Sequence, residues 1–259
     1  MYKAWEIPEN QEFFPSAWAG IIPSMSKQAV FIVLLFVAVA AGVFIYRSMT
    51  PTGARDNHIW EFFADPASHA DWKLAAGTRC GESPFLFPTE GMVGFLWDDS
   101  FRPGHRHQGI DIFAGTEAGV TPVIAAYDGY LTRLADWKSS VILRVPSDPL
   151  APGRQIWLYY THMADSNGVS YIAADFPPGT REVFVPAGTL LGYQGDYSGD
   201  PDNPTGVHLH FSIVRDNGNG NFLNELAIKN TYDPSPYLGL ELNAKNNQGE
   251  VPLCPPSAP

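Results

Sequence analysis

The chain of 259 residues carries 16 Lys and Arg against 27 Asp and Glu, a formal charge of -11, so the electrostatic footprint of a nucleic-acid binder is missing. With 45% apolar and 13% aromatic residues, 24 Gly and 23 Pro, the length suits one medium domain with attachments, built from strands and turns rather than a helical bundle. Collagen, coiled coil and bulk disorder are excluded.

Residues 1–28 read as a polar segment with scattered aromatics. Residues 29–46, AVFIVLLFVAVAAGVFIY, are 18 positions without a charge, which as a helix reach about 27 Å against a hydrocarbon core of ~30 Å, so a transmembrane anchor is predicted there. The run Ala38, Val39, Ala40 is compatible with a cleavage site, but the acidic stretch before the span, with Glu6, Glu9 and Glu12, favours an uncleaved anchor. Lys27 flanks the span on one side and Arg47 and Arg55 on the other, which leans against export of the C-terminal part of the chain.

Residues 47–90 read as a linker or pre-domain stretch rich in turn formers, without a chemical signature. From about residue 91 the pattern becomes short β-like runs separated by Gly, Pro, Asp and Asn, among them PVIAAYDGYLTRLA, SVILRV, QIWLYYTHM, REVFVPAGTLLGY and VHLHFSIVR. An all-β domain is predicted over 91–223, with no helix longer than three turns after the anchor and a Pro- and Asn-rich tail over 224–259 that wraps the surface or is partly disordered. Residues 216–221, DNGNGN, look like a calcium loop, but glycines fall where side-chain oxygens are needed, and a turn is the better reading. The two cysteines, Cys80 and Cys254, are compatible either with a disulfide that pins the tail or with two separate thiols.

No P-loop, dinucleotide glycine fingerprint, GxSxG, HExxH or CxxC occurs. The informative residues are histidines in three distant runs. In HQGID, extended geometry puts His107, Gly109 and Asp111 on one face and Ile110 and Ile112 on the other, with Gly109 leaving open the space before a bound ion. In VHLHFSI, Val207, Leu209, Phe211 and Ile213 face a core, while His208, His210 and Ser212 share the opposite face. In IWLYYTH, the same alternation puts His162 with Tyr160 and Leu158. Each run alone is a weak signal. Together, two imidazoles and a carboxylate leave a fourth position of a zinc ion open for water, the catalytic arrangement.

The stretch HQGIDIFAGTEAGVTPVIAAYDGYL, then YYTHM, then VPAGTLLGYQGDYSGD with PTGVHLHFSIV, resembles the LytM/lysostaphin-type M23 metallopeptidases in order, over roughly residues 91–216. The resemblance implies a barrel-sandwich hybrid, duplicated hybrid motif-like catalytic domain, which stands behind the single N-terminal transmembrane helix predicted from the apolar span and outside the resemblance. It implies one zinc per chain held by His107, Asp111 and His210, with His162 and His208 as catalytic residues that handle the proton and the developing charge, and leaves His105 as a spare surface or second-shell residue. The implied substrate is the peptide part of bacterial peptidoglycan, cut by a metal-activated water, with the domain membrane-anchored and extracytoplasmic in the cell envelope, where its relatives act. Segments 147–154, 165–182 and 200–204 look long for the family's loops and are expected to reshape the substrate groove.

Two other readings stay open. One is a non-catalytic module of the same fold that binds cell wall or activates another hydrolase. The other is an all-β carrier that uses histidine for phosphoryl transfer without metal, against which Asp111 argues.

Overall fold

The computed structural model describes residues 26–48, 51–100 and 104–256, with side chains described over 26–43, 54–100 and 104–256. The chain divides into two compact units, Met1–Tyr46 and Arg47–Pro259.

Helix α1 (Lys27–Ser48) covers the predicted apolar span. Its large apolar side chains are exposed, Phe31 and Phe36 by 69% and 71%. Among the described residues no helix is long and apolar enough to cross a membrane, so the transmembrane helix expected over 29–46 is not borne out there. Side chains 44–46 of that span lie outside the described residues.

In the second unit the chain opens with α2 (Pro51–Ala64), whose 14 residues make about four turns and overturn the expectation of no helix longer than three turns. Arg55, Ile59 and Phe62, spaced four and three apart, share its buried face. Ile59 and Phe62 pack on Met92 and Phe113, and the Arg55 guanidinium pairs with Asp99 at 2.9 Å.

The rest is mostly β. The strands are β1 (Met92–Val93), β2 (Ile110–Phe113), β3 (Pro122–Ile124), β4 (Gly129–Thr132), β5 (Val141–Val145), β6 (Ile156–Thr161), β7 (Val183–Val185), β8 (Leu190–Tyr193), β9 (Leu209–Arg215) and β10 (Thr231–Tyr232), followed by a one-turn helix, α3 (Ser235–Leu238). One antiparallel sheet runs β1-β2-β9-β6-β5-β4-β7, with β10 also paired to β9, and β3 and β8 form a second, two-stranded sheet. The large sheet buries one face through alternate residues: Ile110 and Ile112, Leu158 and Tyr160, Leu209, Phe211 and Ile213 all lie in one core.

That core also takes in Leu74, Phe85 and Phe87 from the stretch read as a pre-domain linker, and Tyr237, Leu238, Leu240 and Leu242 from the stretch read as a tail. Cys80 and Cys254 form a disulfide across 174 residues. Residues 216–221 are a turn, closed by backbone N–H groups of Gly218 and Gly220 donating to the Asp216 carboxylate.

Candidate functional site

Strand register brings the first donors together. In the β2–β9 ladder Asp111 stands directly opposite His210, and in the β6–β9 ladder His210 stands opposite Thr161, one residue before His162. Because Leu209, Phe211 and Ile213 anchor β9 to the core, His208, His210 and Ser212 project from the other face, as their alternation predicts. Gly109 works differently from the expectation. A Cβ there would lie 2.3 Å from the Phe211 carbonyl oxygen, so glycine is needed for the approach of the HQGID run to β9 rather than to clear space before an ion.

His162 departs from its predicted face. Tyr160 and Leu158 point into the core, but His162 has a left-handed backbone, φ 73°, which breaks the alternation and turns its ring to the cleft side beside His208. Such a conformation costs a non-glycine residue about 1–2 kcal/mol. Its neighbour Gly195 makes room for this turn, since a Cβ there would meet the His162 carbonyl oxygen at 2.5 Å and that of Ala164 closer still.

The donor atoms form a tight triangle. His107 Nε2 lies 3.1 Å from Asp111 Oδ1 and 3.0 Å from His210 Nδ1, and His210 Nδ1 lies 2.8 Å from Asp111 Oδ1. The partners on the far side of the rings fix which nitrogens carry hydrogen. His107 Nδ1 donates to the Leu96 carbonyl at 2.9 Å, His208 Nδ1 to the Gly206 carbonyl at 2.9 Å and His162 Nδ1 to the Tyr197 carbonyl at 2.7 Å. A carbonyl only accepts, so the neutral form of each ring holds its lone pair on Nε2, facing inward.

In the neutral state His107 Nε2 and Asp111 Oδ1 are therefore two acceptors held in contact, and a cation between them resolves the clash. A tetrahedral zinc with bonds near 2.0 Å sets its ligand atoms roughly 3.3 Å apart, within about half an ångström of the spacings here, and imidazole and carboxylate are its usual donors. His107, Asp111 and His210, all buried, could hold such an ion.

Electrostatics separates His107 from His162 and His208. Burial opposes charging of His107, yet the adjacent Asp111 carboxylate and the bond to Leu96 hold its pKa above the ordinary imidazole value. Burial would raise Asp111, but His107, His208 and the bonds from His107 and His210 hold it well below the usual carboxylate range. Burial, with His210 and His107 nearby, lowers His208 despite the Asp111 carboxylate 3.6 Å away. Burial, His208 and His210 together push His162 down to about 3. Both His162 and His208 are thus shifted toward the neutral base, their rings 4.5 Å apart.

All five residues line one cleft of about 560 Å³. His105 lines it too, outside the donor triangle. Among the described residues none from 147–154 or 165–182 lines it, contrary to the expected reshaping of the groove, whereas Ser198 and Thr205 bracket the 200–204 stretch on its wall. Sequence reasoning missed Phe113, 5.0 Å from His208, the hydroxyls of Tyr159 and Thr161, and Glu225. For Tyr159 and Thr161 the signal was present, because they occupy the alternate face of β6; for Glu225, one acid in a turn-rich stretch, none was.

The chain is similar in structure to three solved M23-type domains. The catalytic domain of lysostaphin from Staphylococcus simulans matches at 21% identity over 57% of this chain and 92% of that one, with a TM-score of 0.39. A putative glycyl-glycine endopeptidase LytM from Ruminococcus gnavus matches at 26% over 54% and 47%, TM-score 0.33. The catalytic domain of the prophage-encoded M23 protein EnpA from Enterococcus faecalis matches at 21% over 58% and 96%, TM-score 0.35. No family model and no curated protein matches the sequence.

Proposed function

We propose that this chain is a zinc-dependent endopeptidase of the LytM/lysostaphin M23 type that hydrolyses peptide bonds of bacterial peptidoglycan. The observation that carries the reading is the convergence of His107 Nε2, Asp111 Oδ1 and His210 Nδ1 within about 3 Å of one another, beside two further histidines with inward lone pairs. When bound, zinc supplies Lewis acidity toward the scissile carbonyl and an acidified water.

The chain's own groups do the rest. His107, Asp111 and His210 are the ligands. His162 and His208 are the catalytic residues: neutral, partly shielded from solvent and tethered at Nδ1, they present Nε2 to take a proton from the attacking water and to return it to the departing amine. As hydrogen-bond donors after protonation, the same atoms stabilise the tetrahedral oxyanion. The 18 uncharged residues 29–46 argue for a membrane anchor from the sequence alone, since no described helix is long and apolar enough to cross; such an anchor would hold the domain in the extracytoplasmic cell envelope, within reach of the wall.

Zinc content and product analysis test this reading. His107→Ala, Asp111→Ala and His210→Ala are expected to lose both bound zinc and release of peptide fragments from purified peptidoglycan, as followed by mass spectrometry. His162→Ala and His208→Ala are expected to lose release while keeping most of the zinc. Equal zinc loss in all five, or wild-type protein that binds wall without releasing fragments, sinks the assignment. For topology, protease added to spheroplasts is expected to remove the chain after Arg47, and full protection would place the domain inside.

A further inference from the structure

His210 is unlike the other three histidines of the cleft. His107, His162 and His208 each donate Nδ1–H to a main-chain carbonyl and turn Nε2 inward. His210 turns Nδ1 inward, toward Asp111, and its Nε2 is shielded from solvent without a hydrogen-bond partner. No carbonyl fixes its tautomer.

The group facing that nitrogen is Glu225. Its Oε2 is likewise shielded and without a hydrogen-bond partner, and the two atoms are 3.8 Å apart, with the side chains 9% and 19% exposed. That distance is beyond a hydrogen bond, but a small rotation of the glutamate's flexible side chain closes it. The segment carrying Glu225 is anchored to the first ligand run, because Gln108 Nε2 donates to the Leu226 carbonyl at 2.9 Å. It is also braced from within by Asn224, which accepts the Leu226 N–H and whose own carbonyl accepts from Asn230.

A neutral imidazole that offers Nδ1 to a metal must carry its hydrogen on Nε2, and a buried N–H needs an acceptor. A carboxylate in that place fixes both ring orientation and tautomer and makes the ligating nitrogen more basic. Two buried orphans of opposite character, facing each other across the far side of a ligand, meet that description. We propose that Glu225 is the positioning residue of His210, accepting its Nε2–H so that the Nδ1 lone pair stays aimed at the metal. This rests on the metallopeptidase reading.

The test uses the full chain and zinc alone. Zinc affinity is measured by chelator competition for wild type, Glu225→Ala and Glu225→Gln, with the melting temperature of each metal-free protein and the NMR signal of the His210 Nε2 proton in each zinc-loaded one. Loss of affinity of about 100-fold is expected for Glu225→Ala and about tenfold for Glu225→Gln, whose amide oxygen still accepts but carries no charge. The metal-free melting temperatures should be unchanged, and the Nε2 proton should be protected in wild type and exchange rapidly in Glu225→Ala. Partial rescue by Gln is not expected of a residue that only fills space.

Affinity within twofold of wild type in Glu225→Ala, in a wild type that does hold zinc, overturns the role of Glu225 and leaves the metallopeptidase reading standing. Wild type that takes up no zinc overturns both. If Glu225→Ala does not fold, Glu225→Gln decides alone, and unchanged affinity there overturns the proposal.

Discussion

Individual side chains in this protein are held for two separate ends, and substitution can tell them apart. Asp148 serves the scaffold: fully buried, it accepts from Arg154 Nε at 2.8 Å, from the Tyr237 hydroxyl at 2.8 Å and from the Leu150 N–H at 2.8 Å. Asp148→Ala leaves a buried hydroxyl and an N–H without an acceptor, and about 2 kcal/mol of stability is expected to go with it. Thermal melting would show this as a drop of several degrees with zinc affinity unchanged, because Asp148 does not line the cleft. Asp111 serves the site, and the converse is expected of Asp111→Asn: zinc affinity falls by orders of magnitude, while the metal-free fold tolerates an isosteric change.

At the scale of elements, the site depends on how closely β2 approaches β9. Gly109→Ala would drive a methyl group into the Phe211 carbonyl and push the HQGID run off the strand that carries His210. Overpacking of this kind costs about 1–3 kcal/mol, and here it also spreads the donor triangle, so both the melting temperature and the zinc affinity are expected to fall. An unchanged affinity would show that the metal tolerates a wider gap than the register implies.

The same elements show what a sequence reader can reach. The β9 alternation was fully legible, because a period of two with apolar residues on one side has few other solutions. HxxxD and HxH are weak signals singly and point to metal chemistry only when taken together. His162 was legible as a residue and not as a direction, since nothing in YYTHM marks a left-handed backbone at its histidine. Glu225 was not legible at all, and neither was the burial of Leu240 and Leu242, because both depend on segments distant in the chain closing over one another. Helix α2 was overlooked because its apolar stripe is short and includes a charged residue, Arg55, whose partner Asp99 is 44 residues away.

For the second unit as a whole, the Cys80–Cys254 bond closes a loop spanning 174 residues, which encloses all ten described strands and the entire cleft. In the chain-entropy model a loop of that length contributes about 5 kcal/mol, so reduction, or Cys80→Ser, is expected to lower the melting temperature by on the order of 10 °C or more. Zinc should bind the reduced protein while it stays folded, since neither cysteine lines the cleft. In turn, zinc at 100 times its dissociation constant is expected to restore about 2.7 kcal/mol, and a melt that ignores both reductant and zinc would contradict both expectations.

The three acceptors that orient His107, His162 and His208 belong to the main chain at Leu96, Tyr197 and Gly206. No codon change at those positions can delete a carbonyl oxygen. The protonation pattern of the cleft is therefore inherited from the path of the backbone, and a library that randomised the side chains at Leu96 and Tyr197 would leave it intact in every clone that still folds. On the proposal made above His210 differs, because its acceptor is the Glu225 side chain, a group that a single nucleotide substitution removes.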